Sequence, residues 1–323
     1  MNKNIKSKFV LPNNIRFVKI IVIISYFFLY SVIFLFVLNN NNYFNRINAK
    51  LMKNDIILDE KTCNSIKNEL KKRTRPLDYE KEFIFFTSLI SCKIPFSFIR
   101  FADGEEHIMS GKYFQSIDVW HWSPHLKNLR DSLIESANIC LNPNNFIAIP
   151  CKNWIEYSKS ILSYSKCNSS KYMSYATLFY NKNYLKFKEW ITSFINSSNR
   201  WDIILVANSK INKNISWAYK FYPIPDNTVE IWDEFKVSLL SNLSNDAKKD
   251  NIIFFISAGP TANIIISYLS KINNKNIYID FGSAIEFITK GYSTRKYSKK
   301  THKVSNKGCE SFIIRNKNII YDE

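Results

Sequence analysis

The sequence predicts an α/β chain: a mostly parallel, Rossmann-like sheet with helices on both faces, preceded by one N-terminal transmembrane helix. Three observations predict it. Short runs of continuous apolar character alternate with helix-period segments from about residue 55 onward, the pattern of strands buried on both sides. Residues Ile20 to Leu38 are 19 consecutive positions without a charge. The remaining composition, 46% hydrophobic and 15% aromatic over 323 residues, is that of a chain with a sizeable core.

The apolar run spans close to the ~30 Å hydrocarbon core of a bilayer at about 1.5 Å per residue. Lys3, Lys6, Lys8, Arg16 and Lys19 precede it with no acid among them, which predicts a cytosolic tail at 1–19 and the rest of the chain on the far side. No small-residue cleavage site follows, since Asn39 to Asn42 come next, so a signal anchor at 20–38 is expected rather than a cleaved leader. A polar stem over 39–54 then leads to one folded domain at 55–323. No internal repeat or linker divides it.

Within that domain, Asp59 opens a charged helical stretch to Arg73, and Asp78 can cap a helix through Phe83, Phe86, Leu89 and Ile90. Pro95 ends it, and Phe96 to Phe101 reads as a strand. Ser123-Pro124 has the form of a cap followed by proline at the first helical position, with Leu126, Leu129, Leu133 and Ala137 continuing at helical spacing. Further strands are expected at Phe146–Ile149, Ile203–Ala207, Ile252–Ser257 and Ile277–Asp280. Helices are expected at Trp154–Leu162, Tyr184–Ile195, Phe235–Leu243 and Ala262–Leu269.

The net charge of +18 admits an anionic partner, but Lys is spread along the whole length and no DNA- or RNA-recognition motif accompanies it. A solvated lysine surface is the simpler account, and no nucleic acid is expected. The six Cys are too dilute for a disulfide scaffold and contain no Cys-x-x-Cys pair, which excludes a zinc ribbon. In an oxidising compartment some would pair, with no connectivity readable. Asn168, Asn196, Asn214 and Asn242 sit in Asn-x-Ser sequons, a weak sign in so Asn-rich a chain.

Ligands of parallel sheets sit beyond the carboxyl ends of the strands, and three such ends carry distinctive chemistry. Arg100-Phe101-Ala102-Asp103-Gly104-Glu105 places two carboxylates on one turn. They can share a hard cation such as Mg²⁺ or Mn²⁺, with Arg100 as a phosphate fork, or they can simply acidify a first helical turn. Ser257-Ala258-Gly259-Pro260 turns a buried strand into a helix, either as a phosphate-approaching bend or as a plain connection. Asp280-Phe281-Gly282-Ser283-Ala284 ends another strand, where Asp280 and Ser283 can meet a ligand or cap a helix. His121 and His125 are four apart, but Ser123-Pro124 between them argues against a zinc pair. His107 can line the cleft or sit as a surface histidine, and Trp120 and Trp122 can stack on a sugar or base or take a core or rim role.

These motifs, in this order, resemble the glycosyltransferases of the GT-D fold, formerly a domain of unknown function. Arg100 to Glu105 is similar to that family's Arg-Phe-Gly-Asp-Gly-Glu opening, with Gln115 ten residues on. Ser257 to Pro260 resembles its strand-to-helix turn, Asp280 to Ala284 its Asp-x-Gly-Ser/His segment, and Gly291, Arg295 and Tyr297 its C-terminal positions. Ala102 and Glu286 depart from the pattern, where Gly and Asp are usual. The resemblance implies a GT-D-like fold and sugar transfer from a nucleotide-diphosphate sugar to a glycan, protein or lipid acceptor. It further implies Mn²⁺ or Mg²⁺ held by Asp103 and Glu105, and a nucleotide contacted by Arg100, Ser257, Gly259, Pro260, Ser283 and Arg295. Asp280 joins Asp103 and Glu105 as a catalytic candidate. Asp233 and Glu230 are further candidates for the acceptor's base.

Overall fold

A computed structural model describes residues 28–31, 43–51, 58–115, 120–197, 202–211, 213–293, 295, 309–315 and 318–321. The chain divides into a unit over 1–48 and a unit over 49–323. Of the expected anchor at 20–38, residues 28–31 are helical and the rest lies outside the described residues. Among the described residues, no helix is long and apolar enough to cross a membrane.

The larger unit is built on seven strands: β1 (Phe96–Arg100), β4 (Asn145–Ile149), β5 (Met173–Tyr175), β6 (Asp202–Asn208), β7 (Lys220–Ile224), β8 (Ile252–Ser257) and β9 (Ile277–Asp280). Their order is β5-β4-β1-β9-β8-β6-β7, and every neighbouring pair is parallel. Five of the seven are strands expected from the sequence. β5 and β7 are additions: β5 has three residues, and β7 carries Pro223, tolerated because the strand lies at an edge. Two antiparallel ribbons lie outside the sheet, β2 (Phe114–Gln115) with β3 (His121–Trp122) and β10 (Phe312–Arg315) with β11 (Asn318–Tyr321).

The apolar runs form strands because both sheet faces are covered. On one face, α2 (Tyr79–Ser91) and α6 (Tyr184–Asn196) supply rings. Phe86, fully buried, meets Phe96, Phe98 and Phe146 at 5.4, 4.8 and 5.0 Å between centroids, and Phe194 meets Phe255 at 6.0 Å. Edge-to-face contacts such as those of Phe86 with Phe98 and Phe146 add to the burial itself. Phe254 and Tyr278, one residue out of phase on their strands, stack on each other instead. A second helical layer, α4 (Lys127–Ser136), α7 (Trp232–Ala247) and α8 (Thr261–Ile272), lies together, with α8 against β1 and β9.

Helix boundaries follow local capping. Asp59 accepts from Thr62 N at 2.8 Å to open α1 (Glu60–Lys72), and Asp78 accepts from Lys81 N at 3.1 Å to open α2, the second being the cap the sequence predicts. The expectation at Ser123-Pro124 is corrected: those residues form a turn closed by Leu126 N to Ser123 O, and α4 begins at Lys127. The expected helix at Phe235 starts earlier, at Trp232. All six cysteines are paired, Cys63 with Cys92, Cys140 with Cys167 and Cys151 with Cys309. The thiols are too sparse to be a scaffold in sequence. The fold gathers them two by two.

Candidate functional site

In sheet order the chain runs outward from β1 through β4 to β5, and returns from the other side through β6 and β8 to β9. β1 and β9, the first and last strands of the sheet, lie side by side at its centre, and open parallel sheets take ligands beyond the carboxyl ends of their strands. The three motif-bearing strands β1, β9 and β8 are therefore consecutive neighbours, although β1 and β9 are far apart in sequence. A cleft of about 500 Å³ opens above them.

Arg100 closes β1 and Asp280 closes β9. The guanidinium Nε reaches Asp280 Oδ2 at 3.1 Å and Nη2 reaches Oδ1 at 3.4 Å, while Nη1 donates to Ala176 O at 3.2 Å. The Asp280 carboxylate, 3% exposed as a residue, also accepts from Gly282 N at 2.8 Å. Burial works against the charge of Arg100, and the Asp280 carboxylate together with Glu105 and the other neighbouring groups outweighs it, holding the guanidinium above its ordinary range. Gly282 has a φ of +48°, and a Cβ there would run into the Arg100 guanidinium with Tyr180 Oη 2.6 Å away. Glycine is thus required for the backbone conformation and for the space. Tyr180 completes the floor: its ring lies 5.0 Å from the guanidinium carbon, and its hydroxyl donates to Phe281 O at 2.8 Å.

Asp103 and Glu105 open the seven-residue helix α3 (Asp103–Met109), and both line the cleft, with Asp103 exposed. Glu105 reaches back to its own helix start, accepting from Ala102 N at 2.9 Å, and burial pushes its carboxyl up to about 7. Gly104 between them is buried because Trp120 packs on it: an added Cβ would lie 2.7 Å from Cη2 of that indole. The same ring lies 3.4 Å from the Cβ position of Gly259, in the second motif, whose φ is +57°. Trp120 thereby ties the first two motifs together at the cleft rim, a contact no spacing in the sequence discloses.

Ser257 donates to Gly282 O at 2.8 Å, joining the second motif to the third. Ser283 and Arg295 line the cleft beside it. Pro260 is the exception, buried and outside the lining as the residue that opens α8. Asp280 likewise lies under the floor, committed to Arg100, rather than in the lining. Asp233 pairs with Lys236 and Asn128, and Glu230 with His121; neither lines the cleft. Glu286 does, with Lys290 at 3.2 Å.

The lining also includes residues that sequence reasoning passed over: Tyr180, Asn208, Asn227, Thr228 and Lys290. Asn208 and the loop after Ile224 sit at the carboxyl ends of β6 and β7, so the strand-end rule would have found them had β7 been read as a strand. Tyr180 follows no strand directly and left no signal.

A divalent cation fits the chemistry of the acidic pair, which offers hard oxygens at the cleft. Among the described residues no group of three or more His, Cys, Asp or Glu side chains is arranged to hold a metal ion. Ligand phosphate oxygens and water would have to complete its shell. His121 and His125 do not pair; His121 lies in β3 against Glu230 and Asn227.

No family model and no curated protein matches the chain. Three solved structures are similar in fold. One is the highly conserved domain of unknown function 1792, described as having a distinct glycosyltransferase fold, at 18% identity and TM-score 0.45, covering 69% of this chain and 84% of that one. The selenomethionine-substituted structure of that domain has 17% identity and TM-score 0.42 over the same shares. A glycosyltransferase of the same domain from Streptococcus sanguinis has 16% identity and TM-score 0.44, covering 67% of this chain and 84% of that one. This is the family whose motifs the sequence resembles.

Proposed function

We propose that this chain is a membrane-anchored glycosyltransferase that moves a sugar from a nucleotide-diphosphate sugar to an acceptor hydroxyl. The observation that carries the reading is the convergence of three strand-end motifs, 180 residues apart at their extremes, on one cleft beyond the carboxyl ends of neighbouring strands. Each motif alone has an ordinary structural account. Their joint placement, with an acid pair and the cations Arg100, Lys290 and Arg295 lining one cleft, suits a ligand that is anionic and brings a cation with it.

In the reaction, the acceptor oxygen bonds to the anomeric carbon and the bond from that carbon to the phosphate oxygen breaks. The electron pair leaves with the nucleoside diphosphate, and the hydroxyl proton passes to water. Asp103 and Glu105 would hold Mg²⁺ or Mn²⁺, which when bound offsets the negative charge gathering on the leaving diphosphate. Arg100 stays protonated and fixed in direction by Asp280, so its charge meets the diphosphate without having to reorganise. The positive-φ turn at Gly259 brings backbone close to the nucleotide, and Ser257 and Ser283 line the same wall.

Anchoring by 20–38 and an extracytoplasmic domain belong to the same reading. Three disulfides suit an oxidising compartment, and the four sequon asparagines are all exposed. The test is hydrolysis or transfer from UDP- and GDP-sugars by the purified full-length chain in detergent. Turnover should require Mn²⁺ or Mg²⁺ and fall at least ~100-fold in Asp103→Ala, the scale of a lost electrostatic contact. Full turnover in that variant, or in EDTA, overturns the assignment.

A further inference from the structure

A second cavity of about 280 Å³ lies beside the cleft, over the carboxyl ends of β4 and β5. The two share Ala102 and Asp103, at the end of β1, so the sheet edge is one trough divided at the proposed metal ligand. Its wall holds a stacked pair of rings, one of them open to solvent. Trp154 is 55% exposed and lies against Tyr157, centroids 5.4 Å apart and planes within 26°. Large aromatic side chains cost solvation when left bare, and most in this fold are buried.

The rings continue toward the first cleft. Tyr157 is 5.8 Å from His107, His107 is 5.2 Å from Phe114, and Phe114 is 4.9 Å from Trp120 at the cleft rim. His107 is fixed within this row by Nδ1 on Asp103 O at 2.7 Å. The same cavity is also lined by Asn153, Thr177 and Asn181, neutral hydrogen-bonding groups. A flat apolar face with uncharged polar groups at its edge matches a pyranose, whose axial C–H face packs on aromatic rings while its hydroxyls take amide and hydroxyl partners. A lipid would not use the polar edge, and an anionic acceptor would find no cation among the lining residues.

We propose that the cavity bounded by Trp154 and Tyr157 is the acceptor subsite, and that the acceptor is a neutral saccharide. The proposal rests on the glycosyltransferase reading, since it places the acceptor hydroxyl on the far side of Asp103 from the donor cleft. The disulfide between Cys151 and Cys309 holds the first residue beyond Pro150 in this wall, so the platform is attached to a rigid strand end.

The test uses the full-length chain in detergent with lactose, cellobiose and N,N′-diacetylchitobiose as probes, read by saturation-transfer NMR. At least one disaccharide should bind, with affinity at least ~10-fold weaker in Trp154→Ala and restored in Trp154→Phe, a loss typical of one stacked ring. The melting temperature of each variant, read alongside, separates lost binding from lost fold. Binding of none of the three sugars overturns the proposal. So does equal binding by Trp154→Ala, or binding of a Ser/Thr-rich peptide at this surface in place of the sugars. Donor hydrolysis by the unaltered chain is measured in parallel. Trp154-dependent sugar binding without hydrolysis sustains the saccharide site and sinks the enzyme reading; hydrolysis without that binding sinks the subsite alone.

Discussion

Replacing Asp280 by alanine tests the floor of the cleft. The change removes the carboxylate that takes two guanidinium nitrogens of Arg100 and leaves Gly282 N without its acceptor. Arg100 keeps one bond, to Ala176 O, and its side chain is only 15% exposed, so water can replace little of what is lost. Removing one partner of a buried pair costs roughly 3–5 kcal/mol. The residual bond and partial exposure put this case near ~3 kcal/mol. In a unit of this size each kcal/mol corresponds to about 2 °C, so the melting temperature should fall by ~6 °C. Calorimetry and urea midpoints on the purified chain read the shift. Arg100→Met combined with Asp280→Ala should recover most of the loss, because the cost lies in the orphaned charge rather than in missing attraction. A drop below ~1 kcal/mol in the single variant, or additive losses in the double, would refute the coupling described here.

Gly282→Ala should abolish donor turnover and lower stability by ~1–3 kcal/mol, through strain at a φ of +48° and a collision with Arg100; a wild-type melt would contradict the geometry. Replacing Cys63 and Cys92 together by serine opens a crosslink of sequence separation 29 and should cost ~3–4 kcal/mol, read as a lower urea midpoint than the oxidised chain and no further loss on adding reductant that spares the other two pairs.

Much of the sheet was legible because its strands are buried on both faces. Ile203–Ala207, Ile252–Ser257 and Ile277–Asp280 appear as apolar runs for that reason, and each forms a strand within a residue of its expected bounds. The edge strands escaped it. Met173–Tyr175 is too short to show a pattern, and Lys220–Ile224 mixes Lys, Pro and Tyr because one of its sides has no partner strand. The helix start near Ser123-Pro124 was misread for a related reason: its residues satisfy the capping pattern, but β3 ends at Trp122 and the chain spends the intervening residues turning.

Local chemistry marked Arg100, Asp103, Glu105, Ser257, Gly259 and Ser283 as belonging near a ligand, because charge and glycine at strand ends are visible in one dimension. Their assembly was not. That Asp280 serves Arg100, that Trp120 leans on both Gly104 and Gly259, and that an exposed Trp154 stacks on Tyr157 beside Asp103 depend on parallel strands meeting at one edge. Side-chain partners so distant along the backbone are set by strand order, which periodicity does not encode. Chain order supplies the groups, and only folding chooses which of them touch.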